Sequence, residues 1–331
     1  MTARYKAVEL HCHLDGCVRP TTIEQLAHEQ RIDLPGPAAR LATVSPGCQS
    51  LVDYISAIDI ALDVLQTPEA LWRAAYELTE QWQVDGVLHG EARFAPELHT
   101  RRGLALSEIV EAVSAGLSAG SQATQVHHSL ILSCMRPSPP EISWKVIEEA
   151  LACEGVIGVD VAGPEKGVAL LPHAPAFQAA RAANLRVTVH AGEADSATGV
   201  WQAIDELGAE RIGHGVTSIH DSALVERLAN DSITLEQCPS SNLQTTAVAN
   251  IAEHPIESFR SAGVRISLST DCRTTSGVTL ESEYCLLREQ FSWDTAVWNE
   301  VQSSACAAAF IPEPRVGRLR QRFYEEIHSQ D

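Results

Sequence analysis

The sequence predicts an α/β fold, and within it a (β/α)8 TIM barrel. Three observations carry that prediction. Short runs rich in β-branched residues alternate with longer helical stretches. Eight such units fit in about 250 residues, a span typical of a closed barrel. The histidines and acids suited to chemistry gather at the ends of the runs. A doubly wound open sheet is the competing arrangement, but no glycine-rich phosphate loop follows an early strand.

The predicted strands are "AVELHCH" (7–13), "GVLHGEARF" (86–94), "VHHSLILS" (126–133) and "GVIGVDVAG" (155–163), then "LRVTVHAG" (185–192), "RIGHG" (211–215), "ITLEQCP" (233–239) and "VRISLST" (264–270). Helical patterns fill the gaps at 67–84, 105–119, 141–153, 174–183, 198–208, 221–229 and 255–262, with three more at 279–291, 294–309 and 312–328. The stretch 14–85 is too long for one crossover helix. It predicts extra helices over the barrel mouth, placed to act as a substrate lid.

Composition sets the outer limits. A chain of 331 residues, 45% hydrophobic and 20% charged, suits one large barrel domain spanning 1–331. A formal net charge of −19 argues against nucleic acid and against anionic membranes, both of which call for basic surface. No run of about 18 apolar residues is present, and the opening "MTARYKAVELHCHLDG" lacks a secretion signal, so a cytoplasmic location is expected. The nine cysteines are odd in number and form no CxxC pair, which disfavours a disulfide framework or a cysteine-rich zinc site. Assembly into a homo-oligomer is left open.

His11 and His13 end the first run, His190 the fifth and His214 the sixth, and Asp271 follows the eighth. In a barrel these strand ends share one face, where active sites lie. Residues at i and i+2 of a strand point the same way, so His11 and His13 can both face the axis with Cys12 turned outward. Locally, such a pair is either a metal grip or ordinary structure. Together with His190 and Asp271 it offers three imidazoles and a carboxylate, a donor set that suits zinc best, with iron or manganese as alternatives. Glu193, three residues after His190, is placed to shuttle protons. His214 is placed to orient an attacking hydroxide.

The segments "ELHCHLDG", "VHAGE", "RIGHG", "CPSSN" and "SLSTD" occur in the order and at about the spacing of the adenosine deaminase family, within the amidohydrolase superfamily. "GEARFAP", "LSCMR" and "GVDVAG" also resemble that family. The resemblance covers roughly residues 5–310, and the joint occurrence of five motifs is specific where each alone is weak. It implies one Zn2+ per chain held by His11, His13, His190 and Asp271. Glu193 then matches the acid that protonates purine N1, His214 the residue that aligns the attacking hydroxide, and Asp271 a group that holds that hydroxide as well as the metal. Asp15 matches a ribose-hydroxyl contact and Gly163 a backbone contact to N3, with His13 and Cys272 also among the expected substrate-binding residues. The implied reaction adds hydroxide to an amidine-like ring carbon and expels ammonia.

One position departs from the family. Where members read TDD, this chain reads Thr270-Asp271-Cys272. The second acid contacts N7 of adenine in family members, and a thiol is a weaker partner. Losing that contact is worth about 1–3 kcal/mol, a ten- to hundred-fold effect. The favoured reading is deamination of adenosine or a related or modified purine nucleoside. The alternative is an amidohydrolase acting on a different N-heterocycle, in secondary metabolism for instance. A catalytically silent barrel is a weaker reading because the full ligand set and acid are present. A cysteine nucleophile at 272 is weaker because no histidine neighbours it in sequence and a metal hydroxide already supplies a nucleophile; Cys272 as a tolerated small residue is a further reading. Elsewhere, Ser240 or Ser241 reads either as reaching substrate or as part of a turn, and Glu165 after the fourth strand reads as solvent-facing or in contact with ligand. His127–His128 read as surface or packing residues, and Arg101–Arg102 as a solvated loop pair in preference to a phosphate contact. Cys134, Cys153, Cys285 and Cys306 read as core fillers.

Overall fold

The computed structural model describes residues 5–45 and 48–328, with side chains to 326. Eight parallel strands run in sequence order: β1 (Ala7–His13), β2 (Val87–Phe94), β3 (His127–Met135), β4 (Val156–Ala162), β5 (Arg186–Ala191), β6 (Arg211–His214), β7 (Thr234–Gln237) and β8 (Ile266–Leu268). The expected (β/α)8 barrel is the observed fold. β8 meets β1 through a single bridge at Cys12 and Asp271. There His13 N donates to Asp271 O at 2.7 Å and Asp271 N donates to His11 O at 3.1 Å. The barrel is therefore closed by the main chain of the residues predicted to hold the metal.

The main apolar layer lies between strands and outer helices. Cys12, Ala92, Leu130, Val159, Val187, Ile212 and Leu235 pack there against Trp82, Leu117, Phe177 and Phe259. A second cluster joins Val8, Leu10 and Leu88 to Leu319 and Phe323 of the C-terminal helix Glu313–His328. β1 shifts register between Glu9 and Cys12, as a bulge does. That shift lets Val8 and Leu10 meet the C-terminal helix below while His11 and His13 face the axis above.

The interior beneath the site is charged. Arg211 pairs with Glu91 at 2.6 Å and with Glu236 at 2.7 Å; Arg93 pairs with Glu236 at 2.8 Å and lies 3.5 Å from Asp160. All five are buried. Burial pushes the Glu236 carboxyl up, but Arg93 and Arg211 outweigh it and hold the group well below its usual range. Asp160 is held low against the same penalty, by His190 and Arg93.

The stretch between β1 and β2 holds several helices, as expected. Of these, Leu51–Ser56 and Asp59–Val64, with Ile58 between them, form one wall of the central pocket through Leu51, Tyr54, Ile55, Ile58 and Leu62. Among the described residues no helix is long and apolar enough to cross a membrane.

Candidate active site

At the C-terminal mouth the three histidine Nε2 atoms converge. His11 lies 3.1 Å from His190 and 3.3 Å from His13, and His13 lies 3.1 Å from His190. Asp271 Oδ1 sits 3.4 Å from His11 Nε2 and 3.5 Å from His13 Nε2. Local sequence explains the close approach. Gly213 of β6 carries no side chain where a Cβ would stand 3.1 Å from His11 Cε1 and 3.2 Å from His190 Cγ.

The donor set passes a chemical test for a cation. His11 Nδ1 lies 2.8 Å from Glu236 Oε2, and His190 Nδ1 lies 3.0 Å from Asp160 Oδ1. Both carboxylates are held ionised, so each accepts, and each histidine must carry its hydrogen on Nδ1. Where both rings are neutral, the two Nε2 atoms facing each other at 3.1 Å present lone pairs to one another. Such an arrangement is repulsive unless a cation lies between them, and orientation of the ligands by outer carboxylates is usual at metal sites. Asp271 completes the set. It adopts a left-handed backbone, φ 61°, and its Oδ2 accepts from Ser241 Oγ at 2.6 Å. His11, His214 and Asp271 form a second, overlapping cluster that could hold a cation, so His214 borders the candidate metal position.

Glu193 lies on the same pocket wall. Burial, reinforced by Asp271 and Glu165, pushes its carboxyl up to about 8, so it is protonated at neutral pH. Its Oε1 accepts from Thr245 Oγ1 at 2.8 Å, and its Oε2 stands 3.6 Å from His214 Nε2. His214 also takes a left-handed φ, 62°. A residue with a Cβ holds that conformation at a cost.

The pocket is lined by His13, Asp15, Gly163, His190, Glu193, His214, Asp271 and Cys272 on its polar side, joined by Tyr54 and Ser133. Burial raises the Asp15 carboxyl to about 6. Cys272 is buried and touches Tyr54, and its Sγ lies 3.6 Å from Asp271 Oδ1. Cys12 turns away, as expected, with its Sγ 3.4 Å from Cys17.

Some expectations are revised. Neither Ser240 nor Ser241 is on the pocket wall: Ser241 serves Asp271, and Ser240 donates its amide to Glu283 at 3.2 Å. Glu165 accepts the backbone N–H groups of Gly192, Glu193 and Asp195 at 3.1–3.2 Å, and so fixes the turn that carries Glu193. Cys153 and Cys285 are half-buried, unlike the buried Cys134 and Cys306. Arg101 pairs with Asp63 on the surface, and Arg102 bonds Gln30. His127 and His128 begin β3, at the far end of the barrel. The ring orienters Glu236 and Asp160, with Arg93 and Arg211 behind them, were not predicted. Their only sequence signal is charge inside otherwise buried strands.

The adenosine deaminase family model matches residues 6–326. A curated adenosine deaminase from Clostridium perfringens is 35% identical over 319 residues, covering 95% of this chain and 96% of that protein. One from Enterococcus faecalis is 37% identical over 320 residues, covering 95% of each. Among solved structures, adenine deaminase from Arthrobacter aurescens superposes with a TM-score of 0.92 at 25% identity, over 98% of this chain and 99% of that one. With the motifs, the barrel and the convergent site in agreement, the chain belongs to the adenosine deaminase family and is a hydrolytic deaminase.

Proposed function

We propose that this protein hydrolytically deaminates adenosine or a related purine nucleoside, using zinc held by His11, His13, His190 and Asp271. The observation that carries the reading is the juxtaposition, in one pocket, of imidazole nitrogens converging at 3.1 Å beside Asp271 and a buried carboxyl group, Glu193, raised to about 8. A bound divalent cation supplies Lewis-acid activation of water, which lowers its pKa towards ~7.

This chain's own residues account for the rest. Glu193, whose carboxyl burial pushes up, gives its proton to the ring nitrogen beside the carbon under attack. That makes the carbon more electrophilic; the carboxylate then takes the proton of the newly added hydroxyl and passes it to the departing amine, which leaves as ammonia. His214, 3.6 Å from Glu193, borders the path of the incoming oxygen. Asp271 has one oxygen towards His11 and His13 and the other held by Ser241, so its orientation is set before substrate arrives. Asp15 and the Gly163 backbone are assigned to the sugar and the purine edge.

The lining contains no lysine or arginine, and its opposite wall is aliphatic, from Leu51, Ile55, Ile58, Leu62 and Leu98. An anionic phosphate would meet Asp15 and aliphatic side chains with no lysine or arginine on the wall to compensate it. A neutral base or nucleoside fits this wall better than a nucleotide. Cys272 in the pocket favours one second reading, a ring whose edge at that position requires no carboxyl partner.

The test is ammonia release from a panel of aminated purines, nucleosides, nucleotides and pterins, with metal content measured on the same samples. Activity confined to non-purines supports the second reading. Purified protein with no stoichiometric transition metal, and no activity after zinc is added, overturns both.

A further inference from the structure

Behind His214 runs a buried chain of hydrogen bonds that ends on the backbone. Asn242 Nδ2 lies 3.0 Å from His214 Nδ1, Asn242 Oδ1 lies 3.1 Å from His254 Nε2, and Ile256 N donates to His254 Nδ1 at 3.2 Å. His214, Asn242 and His254 are all buried. Ile256 opens the helix Ile256–Ser261, so its N–H is one of those a helix start leaves without an internal partner.

That amide sets every hydrogen in the chain. A backbone N–H can only donate, so His254 Nδ1 must be a bare acceptor. Burial lowers His254 to about 4, so the ring is neutral and its single hydrogen is on Nε2. Nε2–H then donates to Asn242, which fixes the amide with Oδ1 towards His254. Turning the amide over would set Nδ2 against Nε2–H, two donors face to face at 3.1 Å. The Asn242 Nδ2 is left to donate to His214 Nδ1, which must also be bare. The hydrogen of His214 is thereby forced onto Nε2, the atom facing Glu193 and the metal cluster.

We propose that Asn242 and His254 are positioning residues that lock His214 as its Nε2–H tautomer, so that His214 presents a hydrogen-bond donor, and not a base, to the reacting centre. The tautomer is a property of the fold alone; its effect on rate rests on the deaminase reading above. Without this lock an imidazole beside Asp271 and Glu193 is free to populate either tautomer. With it, a hydrogen bond is always offered to the incoming oxygen, and the acid–base work falls to Glu193.

The experiment is long-range 1H–15N correlation on full-length, metal-assayed protein labelled at histidine, with His214→Asn identifying the His214 signals. The expected result is Nε2–H for His214 in the wild type. Asn242→Asp replaces the donor with an acceptor at nearly constant shape and should move the hydrogen to Nδ1. It should also lower kcat by on the order of 10²–10³, as loss of one well-placed donor does, with KM changed only a few-fold and metal content unchanged. His254→Gln keeps a donor towards Asn242 and should retain both tautomer and rate; His254→Leu should lose both.

A wild-type His214 carrying its hydrogen on Nδ1, or an unchanged tautomer in a folded N242D, overturns the lock. A reversed tautomer with undiminished kcat overturns the donor role. If N242D does not fold, the two His254 variants decide the same question. A protein that shows the Nε2–H signal yet deaminates no purine would sustain the lock and refute the proposed function instead.

Discussion

His11 Nδ1 stands 2.8 Å from Glu236 Oε2, with both side chains fully buried. Glu236 also takes Arg93, Arg211 and the Thr188 hydroxyl, so one carboxylate ties the metal pocket to the charged barrel interior. Orientation and affinity for the cation should therefore depend on a residue that never touches it. Glu236→Gln should weaken metal retention about 10–100-fold. It should also destabilise the fold by about 3–5 kcal/mol, because two buried guanidiniums lose their shared counter-charge. Competition with a chelator reads the first effect and thermal melting the second. Wild-type retention of metal in a destabilised variant would show that the two are uncoupled.

Glu193→Gln tests the proton shuttle. Burial keeps the native carboxyl protonated to about 8, so the amide is a close steric match to the resting state but has no proton to cycle. Thr245 and the Glu165-anchored turn still hold the side chain in place. Turnover should be abolished, with metal content equal to wild type. Loss of the metal would instead make Glu193 a ligand, and the assignment of roles would have to be redrawn.

The sequence made the barrel and its catalytic face legible because both depend on local signals. Strand boundaries follow β-branched runs to within a residue or two, and His11, His13, His190, His214 and Asp271 lie where those runs end. The charged interior was not legible for a physical reason. Glu91 and Arg211 satisfy each other across 120 positions of sequence, and each alone resembles a fault in a buried strand. The same holds for Ser241, whose partner Asp271 is 30 residues on, and for the relay from Ile256 to His214. In both, direction is set by hydrogen bonds that no periodicity encodes.

Glu283 should make stability depend on pH. It is buried on the helix Leu280–Phe291, accepts from the Ser240 amide, and among the described residues its Oε1 has no partner. Burial pushes its carboxyl up to about 8 from an ordinary 4.5. Between those values the folded chain holds a proton that the unfolded chain has lost, so stability from this group is full below about 4.5 and declines as pH rises towards 8. Glu283→Gln mimics the protonated form and should remove that decline. The variant should melt close to wild type at pH 5 and a few degrees above it at pH 9. A constant offset across that range would show that Glu283 does not titrate as described.

Cys272 is the position at which base recognition should be adjustable. Its side chain fits a niche bounded by Gly16, where a Cβ would stand 2.3 Å from Sγ, and by Tyr54, whose hydroxyl is held 2.6 Å from Ser276 Oγ. A carboxyl group placed there would share burial with Asp15 and Asp271. Both neighbours and desolvation would raise its pKa, so it would enter the pocket protonated, as an O–H donor towards a ring nitrogen. A thiol offers that nitrogen a much weaker donor. Cys272→Asp should accordingly raise kcat/KM for adenosine about 10–100-fold, leave metal content unchanged and lower Tm through the added buried acid. Cys272→Ser supplies a hydroxyl of similar size and should give a smaller gain. If neither variant changes adenosine turnover, Cys272 is a packing residue and substrate choice is set elsewhere on the wall. If adenosine turnover falls while a different aminated ring is still processed by the wild type, the native thiol is matched to that other ring.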